Sequence, residues 1–212
     1  GCVQRYELLP DQSGARPVAT SGLLDDLDSC HGLCLLDDTV FVTASGKRQI
    51  AVLSATDLRV LFKFGNTELL EPTDIDVYFP PSVAGVHPGG APGGTPGGRG
   101  ILNTPPLLYV ADRERHKIFI YSTDGAYVSS FGHHGTEPGA FTEPLGLCVR
   151  KQRVYVTEGL GARLQVLEPN GTPLLVLPAP TGGRLCGVGW HEHRLYLGEI
   201  EAHRIHCFRV FD

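Results

Sequence analysis

The chain has no methionine and a single tryptophan in 212 residues. Lacking a methionine even at position 1, it reads as a processed segment or as part of a longer polypeptide. Charged residues make up only 19%, with 18 basic against 23 acidic and a net charge of −5. No broad positive field is therefore available to hold nucleic-acid phosphates. No apolar run approaches the ~20 residues of a membrane-spanning helix, and no secretory signal opens the sequence. Cys2, Cys30, Cys34, Cys148, Cys186 and Cys207 are scattered without a C-x-x-C pair. That spacing suits neither a zinc site nor a disulfide framework, and it fits small buried hydrophobes. The compartment stays open, with an intracellular, cytoplasmic setting favoured.

What the chain does have is a repeat. "VFVTASGKRQIAVL", "LYVADRERHKIFIY", "VYVTEGLGARLQVL" and "LYLGEIEAHRIHCF" align on Phe41, Tyr109, Tyr155 and Tyr196. The anchors recur every 40 to 46 residues or so, apart from one longer interval after Phe41, a period that belongs to propeller-type arrays. Nine residues before Phe41, Tyr155 and Tyr196 stand Gly32, Gly146 and Gly187, and Asp74 fills the same slot ahead of the insertion that precedes Tyr109. Three residues after them stand Ala44, Asp112, Glu158 and Glu199, and eight after them Gln49, Lys117, Arg163 and Arg204. Three copies thus carry an acid and a base five residues apart, and the first lacks both. We read Asp112 with Lys117, Glu158 with Arg163, and Glu199 with Arg204 as pairs meeting across a turn, each worth only ~0–1 kcal/mol if exposed. His116 and His203, just before the base, read as neutral histidines donating to carbonyls.

Each copy continues into a turn and a further strand, as in "STDGAYVSSFG" and "EPNGTPLLVLPA", where Asp-Gly and Asn-Gly favour hairpins with positive φ. Asn170-Gly171-Thr172 also fits a glycosylation acceptor, but a turn is the expectation. The prediction is an all-β chain of four-stranded antiparallel blades. Two strands of an earlier copy precede them, and the last copy stops in its third strand.

"EPGAFTEPLGLCVRKQRVYVTEGLGARLQVLEPNG" and "YVADRERHKIFIYSTDG" resemble the NHL-repeat family of β-propellers. The likeness spans nearly the whole of residues 1–212 except about 80–105, and it is weakest at Phe41, where Ala44 and Gln49 depart from the pattern. It implies one propeller domain of about four blades plus a partial one, belonging to a six-bladed ring or an open arc. An open strand edge near Cys2 or Phe211 would need a cover. The resemblance also implies a recruitment platform for protein partners, the role such propellers play in tripartite-motif ubiquitin ligases.

Residues 80–105 contain "HPGGAPGGTPGGRG", which cannot build a ladder and reads as a flexible insertion without a phosphate-loop lysine. His133-His134 follow "SSFG" in a linker between blades, and His191 and His193 flank Glu192 in a short turn. All four read as surface polar residues. The functional expectation is a non-catalytic scaffold, with no cofactor and no metal. Arg113, Arg115, His133 and His134 are its candidate partner-binding residues, on loops of one face. The alternatives are RNA binding through the Arg113–Arg115–Lys117 cluster and, less favoured, a metal-dependent propeller enzyme. Around the channel the enzyme reading has only His31, Thr73, Leu145 and Cys186, with Asp74 and Asp76, and no nucleophile–base–orienter set.

Overall fold

The computed structural model describes residues 3–9, 14–20, 27–81, 83–84, 101–102 and 104–210. Apart from one 3-10 turn at Ser45–Lys47, its regular elements are all strands. A hairpin of β1 (Gln4–Leu8) and β2 (Ala15–Thr20) leads into blade A, formed by β3 (Cys30–Leu36), β4 (Thr39–Ala44), β5 (Gln49–Ser54) and β6 (Val60–Phe64). Blade B runs from β7 (Pro72–Tyr78) to β10 (Leu107–Asp112), β11 (Lys117–Ser122) and β12 (Tyr127–Phe131). Between β7 and β10, β8 (Val83–Ala84) and β9 (Ile101–Leu102) pair as a two-stranded ladder at the base of the insertion. The Pro-Gly-Gly repeats themselves lie outside the described residues. Blade C comprises β13 (Pro144–Arg150), β14 (Arg153–Glu158), β15 (Arg163–Leu167) and β16 (Pro173–Pro178). Blade D has three strands, β17 (Leu185–His191), β18 (Arg194–Glu199) and β19 (Arg204–Arg209). The fold is a β-propeller arc. Cys2 and Phe211, at which open edges were expected, lie outside the described residues.

The apolar runs follow from this stacking. The innermost strands pack in succession, β3 on β7, β7 on β13 and β13 on β17. A middle strand therefore buries both faces: Leu108 and Val110 point towards blade A, whereas Tyr109 and Ala111 point towards blade C. That is why "LLYVA" and "KIFIY" are continuous rather than alternating. The outer strands lose this double burial, and β16 is largely exposed. The core is thus a series of slabs between blades, and Phe41, Tyr109, Tyr121 and Phe141 are its largest fully buried side chains.

One backbone feature recurs in all four copies. Arg48, His116, Ala162 and His203, each just before the third strand, have φ of 56°, 55°, 46° and 49°. The left-handed conformation ends the turn between second and third strands without using glycine. His116 and His203 share this backbone position, and His116 does not donate to a carbonyl as expected. Its Nδ1 accepts the N–H of Glu143 at 3.3 Å.

Candidate functional site

One end of the arc is built from the turns between second and third strands and from the linkers between blades. In every copy an N–H of that turn donates to the linker's last carbonyl. The bonds are Ser45 to Ser29 (3.2 Å), Arg113 to Glu71 (3.0 Å), Gly159 to Glu143 (2.8 Å) and Ile200 to Arg184 (2.9 Å). In three copies the repeat acid reinforces this contact. Asp112 accepts the N–H of Leu70 (2.7 Å), Glu158 that of Thr142 (2.7 Å) and Glu199 that of Gly183 (2.8 Å). These acids are buried, with Asp112 and Glu158 at 0% exposure and Glu199 at 3%. Hydrogen bonds from Thr181 and His206 hold Glu199 below the usual carboxylate range despite the opposing effect of burial. In blade A, where Ala44 replaces the acid, the Ser45 hydroxyl donates to Ser29 O at 2.8 Å instead.

This corrects the turn-pair expectation. Acid and base do face each other in all three ladders, Asp112 with Lys117, Glu158 with Arg163 and Glu199 with Arg204. Of these three turn pairs, however, only Glu158 and Arg163 form an ion pair, at 2.6 Å. The carboxylates of Asp112 and Glu199 point towards the linker, because an orphan backbone N–H there needs an acceptor in a buried setting. Two residues beyond the base, Gln165 donates to Glu158 (2.8 Å) and His206 Nε2 meets Glu199 (2.6 Å). Sequence reasoning missed both, although each lies seven residues after its acid. Blade B has Phe119 at that place, and Asp112 binds Arg115 N–H instead at 2.9 Å.

The four candidate binding residues lie on this end. Arg113 is only one-third exposed and is held bidentately by Glu71, with Nη2–Oε1 at 2.7 Å and Nε–Oε2 at 2.8 Å. Arg115 rests its Nε on Glu68 O at 3.0 Å. His133 pairs with Glu137 at 2.7 Å, and both are well exposed. His134 packs its ring on His116 at a centroid distance of 4.5 Å, so the Arg113–His116 turn and the His133–His134 linker are neighbours.

Beside this turn runs a groove that the sequence did not disclose. One part, about 620 Å3, is lined by Glu68, Leu70, Glu114, Arg115, Lys117 and Tyr127. A second part, about 530 Å3, shares Leu70 and Glu114 and reaches Arg48 and His31. Tyr127 is 49% exposed, with its ring tilted against that of Phe119 and edge-to-face with that of Tyr121. The groove is therefore of mixed charge, with one aromatic platform.

The channel side is differently equipped. Asp74 occupies the slot that is glycine in the other three copies. Its Oδ2 accepts Leu147 N–H from blade C at 2.8 Å, while Asp76 accepts Val149 N–H at 2.8 Å and Arg150 at 2.9 Å. These carboxylates join inner strands that otherwise share no ladder. Burial, helped by the charge of Asp76, pushes Asp74 up to about 7. His31, Thr73, Leu145 and Cys186 do line a cleft here, together with Asp74, Glu71 and Arg113. Thr73 donates its hydroxyl to backbone carbonyls, and among the described residues no three His, Cys, Asp or Glu are grouped to hold a metal.

No protein-family model matches the chain, and no curated protein matches it in sequence. Solved structures do. A chain of the Nidogen/Laminin complex superposes with a TM-score of 0.64 at 22% identity, over 94% of this chain and 65% of that one. Streptogramin B lyase gives a TM-score of 0.58 at 14% identity, covering 88% and 57%. The computationally designed Ika4 protein gives 0.56 at 9% identity, covering 91% and 97%. At these identities the likeness establishes the β-propeller fold and nothing finer. The chain spans less than two-thirds of the length of both the Nidogen/Laminin and lyase chains.

Proposed function

We propose that this chain is a non-catalytic, NHL-type propeller segment that captures protein partners through the groove beside the Arg113–His116 turn. The observation that carries this reading is the combination at Arg115, Lys117, Glu68, Glu114 and Tyr127. Charges of both signs surround an exposed tyrosine over a rigid blade, and tyrosine and arginine are the residue types enriched where proteins bind one another. None of these side chains is needed for the strand ladder. The Nidogen/Laminin neighbour, found in a protein complex, lends support at the level of fold. RNA binding fits less well, because on this face Arg113, Arg163 and Arg184 are committed to Glu71, Glu158 and Glu143.

The test is a pull-down with the wild type and an Arg115→Glu/Tyr127→Ser variant, both immobilised at equal density and checked for unchanged circular dichroism. Arg113 is left intact, since a charge reversal there would set two carboxylates together at Glu71. Specific recovery of a protein by the wild type and its loss from the variant are expected. Equal recovery from both, or recovery only of RNA that salt removes, would overturn the proposal.

A further inference from the structure

The groove beside Lys117 adjoins the linker between blades A and B, inside the arc, and blades C and D show another use of the same repeat positions. In blade C the base at the start of the third strand is consumed by the fold. Arg163, whose side chain is 12% exposed, binds Glu158 at 2.6 Å and the Ala140 carbonyl at 2.9 Å. Two residues on, Gln165 in C and His206 in D meet the repeat acid. Blade B departs at both places. Its acid, Asp112, is occupied by the N–H groups of Leu70, Glu71 and Arg115. Phe119 replaces the residue that would meet that acid, and it lines the groove with Tyr127 instead. Lys117 is thereby released. Among the described residues no ion pair includes Lys117 or Arg115, and Arg115 binds the Glu68 carbonyl through Nε. The acids of the groove are already engaged. Glu68 accepts the Thr67 hydroxyl at 2.6 Å, Glu71 is held by Arg113, and Arg113 also lies 3.9 Å from Glu114.

We propose that the partner captured here presents an acidic segment, with Asp or Glu carboxylates on Lys117 and Arg115 and an apolar or aromatic side chain on the Tyr127 ring. This partner chemistry rests on the reading of the groove as a capture site. The groove offers cationic donors that have no acid of their own, and carboxylates meet such donors with charge-assisted hydrogen bonds. Lys117 is half-buried and Arg115 exposed. A carboxylate on Lys117 is therefore covered by the ligand, while one on Arg115 stays at the rim. The tyrosine ring adds contact area with little loss of side-chain freedom. Glu68 and Glu114 line the same stretch, and they select against a continuous polyanion. The evenly spaced phosphates of RNA would run past both carboxylates, whereas a peptide can set neutral residues against them.

The test is a selection of phage-displayed random peptides on the immobilised wild-type chain, after depletion on an Arg115→Ala/Lys117→Ala variant. Recovered peptides are labelled with fluorescein and titrated by fluorescence polarisation. Sequences rich in Asp and Glu, with an apolar or aromatic residue among them, are expected. Their binding should weaken about tenfold for Lys117→Ala and fall as salt is raised. Tyr127→Ser should weaken it too. Arg153→Ala removes an equal charge at an exposed site in blade C and should change nothing, and circular dichroism confirms that each variant is folded. No enrichment, neutral or basic sequences, peptides indifferent to Lys117→Ala, or an equal loss with Arg153→Ala would each overturn the proposal. So would an oligouridine that binds the groove more tightly than the selected peptides. Non-acidic peptides alongside a pull-down that still depends on Arg115 and Tyr127 would sink the acidic partner alone. Equal recovery in that pull-down would sink the groove reading with it.

Discussion

Blades C and D are adjacent and share their repeat register, yet only C is packed on both faces. In C the repeat glycine is pressed by the next strand, the third strand is buried, and Glu158 holds Arg163, Gln165 and the linker together. In D the glycines face open space, and Glu199 keeps the linker contact while Arg204 stays outside. The two blades separate what the fold requires from what a neighbour requires. The linker bond and the left-handed turn residue survive without a neighbour on the outer face. Burial of the third strand does not.

The largest effect should come from the ion pair that C has and D lacks. Arg163→Ala leaves Glu158, at 0% exposure, with a buried charge that Gln165 and Thr142 only partly satisfy. Losing one partner of such a pair typically costs about 3–5 kcal/mol, and urea denaturation should show a loss of that order. A wild-type midpoint would mean that the linker N–H and Gln165 suffice alone, erasing the main energetic difference between the blades.

Next come the glycines. Gly146→Ala puts a methyl group on the Cys186 carbonyl and within 3.0 Å of Val188 N. Because backbone must move, a cost of about 1–3 kcal/mol is expected. Gly187→Ala meets nothing in the same chain and should leave the monomer's stability unchanged or slightly raised. Equal destabilisation by the two would show that blade D has a packed neighbour in the isolated chain.

These contrasts mark how far the sequence could be read. The anchors, the repeat period and the continuous strand runs are dictated by burial on two faces, and they identify the blades residue by residue. The acid at the third position after each anchor was legible as a conserved spacing within the chain, but its partner was not. Asp112 and Lys117 being opposed in a ladder says only that their backbones are adjacent. Which oxygen meets which donor depends on a linker whose path is set by the neighbouring blade. Asp74 looked like a lapse from glycine, since its acceptor role towards Leu147 crosses between blades. The groove at Tyr127 brings together an outer strand, a turn and a linker, and no periodicity joins those three.

Asp74 gives the comparison a pH axis, because it bridges B to C and has no counterpart between C and D. Its carboxyl is raised from 3.8 to about 7 in the folded chain. Ionisation therefore favours the unfolded state, so this group's penalty is absent below pH 3.8, grows as pH rises towards 7, and is constant above. Stability should fall between pH 4 and 7 by an amount that Asp74→Asn removes. Glu199 acts in the opposite sense, since its lowered value means stability lost as pH falls below the ordinary carboxylate range. Denaturation midpoints at several pH values for wild type and Asp74→Asn would separate the two. A parallel pair of curves would remove Asp74 from this role.

The smallest effect is the most pointed test of the repeat acid's role. If Asp112 and Glu199 served their cross-strand bases, Lys117→Ala and Arg204→Ala would each strand a buried carboxylate, as Arg163→Ala does. The carboxylates instead take N–H groups of the linkers, and Arg204 is exposed. Both substitutions should therefore stay within about ±0.5 kcal/mol, the usual range for surface changes. Asp112→Ala should cost far more than Lys117→Ala, because it deprives the N–H groups of Leu70 and Glu71 of their acceptor. A Lys117→Ala loss comparable to that of Arg163→Ala would restore the pair across the turn as the unit that the repeat preserves.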